Sequence, residues 1–119
     1  MVLKKSMIFS PIKIGCIEVS NRIVIAPMCQ YSAINEVMTD WHTQHLMQLS
    51  FSAAGLIMVE ATAVEKIGRI THNCVGIYNE NCLQSLKKNL QVAKLVANNK
   101  ACFGIQLAHA GRKAYTQRP

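Results

Sequence analysis

Apolar residues along this 119-residue chain fall into short runs and stripes that alternate between two periods. Ile12–Ile14 and Ile17–Val19 flank Gly15-Cys16 and predict a short β-hairpin. Asn21-Arg22 leads into Ile23–Ala26, an apolar run without alternation, as a strand covered on both faces requires. A loop over Met28–Met38 follows. Thr39 or Asp40 is then placed to cap a helix from Trp41 to Ala54, with His42, Leu46, Leu49 and Ala53 on one face and Gly55 as its stop. Leu56–Val59 opens a second buried strand running through Glu60 towards Ala63, and a polar connector with Gly68-Arg69 and Gly76 comes next. Asn81 with Gln84 resembles a capping box. Leu83, Leu86, Leu90, Ala93 and Ala97 then form a helical stripe, with Lys87, Lys88 and Lys94 off it and Asn98-Asn99 as left-handed stop chemistry. Ala101–Leu107 is a third strand.

Hairpin, then β, α, β, α, β, with doubly covered strands, predicts an α/β fold with a parallel sheet and right-handed crossovers. The sequence contains no internal repeat, low-complexity tract or linker.

Composition narrows the class. Half of the residues are hydrophobic, which fits a packed chain rather than a disordered one. The net charge is +7, yet the 13 Lys and Arg never run longer than two together and no aromatic residues alternate with them, so the charge reads as a solvated face, not a nucleic-acid platform. Five cysteines, an odd number without C-x-x-C spacing, argue against a disulfide framework or zinc ribbon and for a reducing, cytoplasmic setting. Ser10, Pro11 and Lys13 interrupt any signal-peptide core, and apolar stretches such as Leu56–Val59 are far too short to span a membrane.

Candidate chemistry gathers at the carboxyl ends of the three strands, the edge at which α/β sheets bind ligands. There stand Ala26–Cys29 with Tyr31, Glu60–Ala63, and Gln106 with His109 and Arg112. Each has a plain structural reading. A lone Cys is usually a small buried hydrophobe, Tyr31 a packing residue with a wet hydroxyl, Gln106 a capping amide, and Glu60 either a buried paired carboxylate or a base. His42 and His45, three apart on a helix, could in principle share a metal, but the absence of the Glu of H-E-x-x-H and of a nearby carboxylate argues against it. Phosphate-loop, dinucleotide and serine-elbow signatures are absent.

"FSPIKIG…VSNRIVIAPMCQYSA", "TDWH", "GLIMVEATAV…GRI" and "GIQLAHAGRKA" together resemble the amino-terminal part of the Old Yellow Enzyme family, in the branch of bacterial NADPH dehydrogenases. The resemblance implies that residues 1–119 are the first part of a (β/α)8 TIM barrel, a hairpin followed by three βα-type strands. It implies FMN as cofactor, NADPH or NADH as reductant, and an activated alkene such as an enone as substrate. Ala26, Pro27, Met28 and Cys29 match the stretch along the flavin ring, Cys29 the thiol that adjusts flavin potential, Ala61 a backbone contact to FMN, and Gln106 the amide at the pyrimidine edge. Tyr31 matches the phenol of the substrate pocket, and Tyr31 and Cys29 together the catalytic pair. His109 and Arg112 belong near the site, and the intact relative is a homo-oligomer. Cys74 stands where the family usually has Asp, Tyr78 where it has Trp, and Leu49 where Arg is common on the first barrel helix. A competing expectation from the same residues is a truncated, non-catalytic remnant of such an enzyme.

Overall fold

In a computed structural model of the chain, the structure describes residues 6–98 and 100–114. β1 (Ile12–Ile14) and β2 (Ile17–Val19) form the antiparallel hairpin, and Gly15 supplies the positive φ of +59° that its tight turn requires. β3 (Val24–Ile25), β4 (Leu56–Ala63) and β5 (Cys102–Ala108) form a parallel sheet with β4 in the middle. Helices α1 (Asp40–Ser50) and α2 (Glu80–Val96) are the crossovers. The predicted order and strand direction are both found.

Element ends differ from expectation, and each difference has a local cause. The strand predicted over Ile23–Ala26 narrows to two residues. The Ile23 N–H is taken by Asn21 Oδ1, and its carbonyl accepts the N–H groups of Gly55 and Leu56. α1 stops at Ser50, not Ala54. The Ser52 hydroxyl donates to the Leu49 carbonyl and accepts the Ala54 N–H, closing the turn on a side chain, and Ala53 takes a φ of +58°. Ala53 is therefore exposed, and the buried face of α1 is His42, Leu46 and Ser50. α2 is capped by Asn79, whose Oδ1 accepts the Cys82 N–H at 2.9 Å, whereas Asn81 is exposed in the first turn and Gln84 reaches Glu80 instead. Asn98 has the left-handed φ of +54° expected of a stop; Asn99 lies outside the described residues. β5 is shifted by one residue from the predicted Ala101–Leu107.

The core lies between the helices and one face of the sheet. Ala33, Met38, Leu46, Val59, Val75, Leu86 and Ala93 are buried together, with Ile77, Leu90, Phe103 and Ile105 packed against them. Each such Leu or Val contributes roughly 1.5–3 kcal/mol on burial. A polar contact crosses this interface: buried Asn89 of α2 accepts the Thr43 hydroxyl of α1 at 2.6 Å and donates to the Ser85 carbonyl at 2.8 Å.

Candidate active site

One irregularity in β4 organises the site. Val59 pairs with Ile105, but the next partners are Ala61 and Gln106, so Glu60 is an extra residue in the ladder. Val59 packs in the helix-side core and Glu60 meets His42 of α1, so two consecutive side chains turn to the helix layer. The alternation restarts at Ala61, which shares its position in the sheet with Gln106 rather than with Val59. As expected, β4 runs on through Glu60 to Ala63, and Glu60–Ala63 form its carboxyl end.

The segment after β3 folds back over this edge. Cys29 is half-buried, and burial pushes its thiol pKa up from the ordinary value; the Ala61 backbone N–H opposes that rise, the Glu60 and Cys74 charges add to it, and the Tyr31 hydroxyl opposes it. Tyr31, 48% exposed, has its phenol pKa raised first by the neighbouring Cys29 and then by burial. Its backbone holds a φ of +50°, unusual for a non-glycine residue and found where surroundings over-determine the chain. Ala26 and Met28 are exposed beside these groups, and Pro27 is half-buried. Gln106 is exposed, and its side-chain amide makes no hydrogen bond to another described residue, which leaves it one acceptor and two donors. Cys29, Ala61 and Gln106, from three separate segments, therefore share one rim.

Glu60 is 5% exposed and bridges two elements. Oε2 accepts the Gln30 N–H at 3.1 Å, and Oε1 lies 3.3 Å from His42 Nε2, an ion-pair distance outside hydrogen-bond alignment. Of the two open readings of Glu60, the geometry is that of a buried, paired carboxylate. His42 Nδ1 accepts the Thr39 N–H at 3.0 Å, so the ring proton belongs on Nε2, facing the carboxylate. His45 joins His42 and Glu60 around a cavity of about 10 Å³, and burial lowers its pKa. Among the described residues no three His, Cys, Asp or Glu side chains are arranged for a metal.

Several supports carry little sequence signal. Asn35 and Glu36 both have positive φ and make a two-residue turn between Ile34 and Val37, whose backbones exchange hydrogen bonds of 3.2 and 3.1 Å. Glu36 meets the buried Arg69 guanidinium at 2.8 Å, and its carbonyl accepts the Gly76 N–H, tying the loop after β3 to the loop after β4. His109 pairs with Glu65 at 2.7 Å and stacks on Gly68, where a Cβ would lie 2.6 Å from the ring, so it braces the rim; Arg112 is exposed on a following 3-10 turn.

Parallel strands joined by helical crossovers, with polar groups gathered at their carboxyl ends, define an arc of a (β/α)8 barrel, whose carboxyl edge is where such barrels bind ligands. The profile of the NADH:flavin oxidoreductase / NADH oxidase family matches residues 7–119, and the chain belongs to that family. It is 42% identical over 112 residues to an NADH:flavin oxidoreductase of Gibberella zeae, covering 94% of this chain and 26% of that protein. It is likewise 42% identical over 112 residues to an NADPH dehydrogenase of a Geobacillus species, covering 92% of this chain and 32% of that protein. The old yellow enzyme of Trypanosoma cruzi superposes with a TM-score of 0.77 at 28% identity, over 91% of this chain and 28% of that one. Morphinone reductase, solved with tetrahydroNAD, gives a TM-score of 0.82 at 23% identity, over 92% of this chain and 29% of that one, a likeness of fold. The chain thus spans less than a third of the curated relatives it matches. Among the described residues no helix is long and apolar enough to cross a membrane.

Proposed function

We propose that this chain is the amino-terminal portion of an FMN-dependent NAD(P)H oxidoreductase of the ene-reductase type, reducing an activated alkene such as an enone. The reading rests above all on the rim shared by Cys29, Ala61 and Gln106, together with family membership. These residues suit a flavin. The Gln106 amide has its donors and acceptor uncommitted, the complement of a ring edge that offers both, and Ala61 adds backbone beside it. Ala26, Pro27 and Met28 supply a largely apolar, open surface. When bound, the cofactor supplies the hydride chemistry.

The chain's own residues bind, orient and tune. Cys29, a polarizable sulfur kept as thiol by burial, sits where it alters the balance between oxidised and reduced ring. Tyr31, held out by its left-handed backbone, offers a hydroxyl donor to a carbonyl of the substrate. A homo-oligomer in the cytoplasm completes the proposal, in keeping with five free cysteines.

Expression of the full reading frame that contains this chain tests the reading. A yellow protein is expected, bleached by NADPH or NADH and re-oxidised by a cyclic enone. Flavin lost on gel filtration, or retained but unresponsive to both nucleotides, would sink it.

A further inference from the structure

We propose that Glu60 and His42 act as a buried clamp that fixes the position of Cys29 and Tyr31, a positioning role rather than a catalytic one. The idea rests on the reading of those two residues as the flavin- and substrate-facing groups, and extends it to the elements behind them.

The carboxylate is placed for holding, not for reaction. The extra residue in β4 turns Glu60 to the helix layer with Val59, away from the position that Ala61 shares with Gln106. There its two oxygens divide their work: Oε2 takes the N–H of Gln30, the residue between Cys29 and Tyr31, and Oε1 faces the proton-bearing Nε2 of His42. His42 is itself fixed, 2% exposed, with Nδ1 bound to the first turn of its own helix. The Gln30 side chain adds two ties, donating to the Met28 carbonyl at 2.9 Å and accepting from Trp41 Nε1 at 3.3 Å. The tripeptide is thus held at its centre by groups from β4 and α1, while Cys29 and Tyr31 remain free to face the rim. A left-handed Tyr31 needs such restraint, since its φ of +50° is disfavoured in an unheld loop. An amide in place of the carboxylate cannot serve both neighbours, because each is a donor and an amide presents one acceptor and one donor group. A charged acceptor also makes the stronger bond.

Amide hydrogen exchange on the protein expressed from the full reading frame that contains this chain, read residue by residue, tests the clamp without any flavin readout. Glu60→Gln is expected to speed exchange of the Gln30 N–H about tenfold or more, and alkylation of Cys29 by iodoacetamide with it, while amides of α2 and β5 keep their wild-type rates. His42→Gln should loosen the same tripeptide through Glu60, and carries the test if Glu60→Gln does not fold. Unchanged Gln30 exchange in both variants, or acceleration spread evenly over all elements, would overturn the clamp. Because neither readout involves flavin, failure to bind FMN counts against the functional reading alone, and a flavin-binding protein with unaltered Gln30 exchange counts against the clamp alone.

Discussion

At the scale of single residues, the groups that matter most are polar atoms taken from water. Burial, with the Glu36 carboxylate beside it, pushes the Tyr78 phenol up to about 12 from 10. Its hydroxyl is buried beside Glu36. The folded state therefore holds the phenol proton more tightly than the unfolded chain. That contribution is complete below pH 10 and is lost as pH rises from about 10 to about 12. A plot of melting temperature against pH should fall over that window in the wild type, and less steeply in Tyr78→Phe, which lacks the titrating phenol. An identical alkaline fall in both proteins would refute this account. Cys29 offers a second check. Burial holds its thiol above the ordinary range while the Tyr31 hydroxyl pulls it down, so Tyr31→Phe should raise it further and slow alkylation of Cys29 at pH 8. Mass spectrometry of the labelled peptide reads the rate, and faster labelling in the variant would contradict the assigned contact.

Between elements, shape and pairing decide. Gly55 enters β4 so close to the hairpin exit that an added Cβ would lie 2.5 Å from the Asn21 carbonyl oxygen and 2.6 Å from Val19 Cγ1. Backbone on one side and a buried Val on the other leave little room to yield, and Gly55→Ala should cost about 1–3 kcal/mol in a denaturant titration. Asn89 makes a comparable point about α1 and α2. Asn89→Leu strands the Thr43 hydroxyl and should cost about 1–3 kcal/mol, much of it recovered by adding Thr43→Val, since removing both partners leaves no unpaired group. Additive losses in that cycle would show that the contact is not coupled. These sites also mark the limit of what the sequence discloses. Periodicity exposed both helices and the three parallel strands, because burial on one face or two leaves a regular trace. It missed two helix ends, the close of α1 by Ser52 and the start of α2 at Asn79, where side chains compete for backbone groups at a scale below the period. It missed Asn89, whose partner stands 46 residues away. The rim residues were readable as strand ends and by family resemblance. The extra residue at Glu60 was not, because it exists only as a mismatch with β5.

For the molecule as a whole, an open sheet sets the behaviour of this chain when it stands alone. β4 is paired on both sides, but β3 and β5 each present an outer edge with no strand beside it among the described residues. A closed barrel has eight strands in about 250 residues, removes such edges, and commonly binds phosphate with the loops after strands seven and eight. The three described strands bring Cys29, Ala61 and Gln106 to one rim, and among the described residues nothing stands opposite that rim as a second wall or forms a phosphate cradle of that kind. Apolar side chains that a complete barrel would cover stand open, Val24 at 51% and Leu107 at 62% exposure on the two edge strands. Affinity for a flavin is therefore limited to the few groups on one rim, and edge-to-edge pairing competes with the folded monomer. The 119-residue chain mixed with excess FMN should pass through gel filtration colourless, leave NADPH and NADH unconsumed, and elute in part as larger species that shrink when a Lys is placed at Val24 or Leu107. A stoichiometric flavin absorbance that co-elutes with monomer and is bleached by either nucleotide would show that this rim alone suffices to bind and reduce the cofactor.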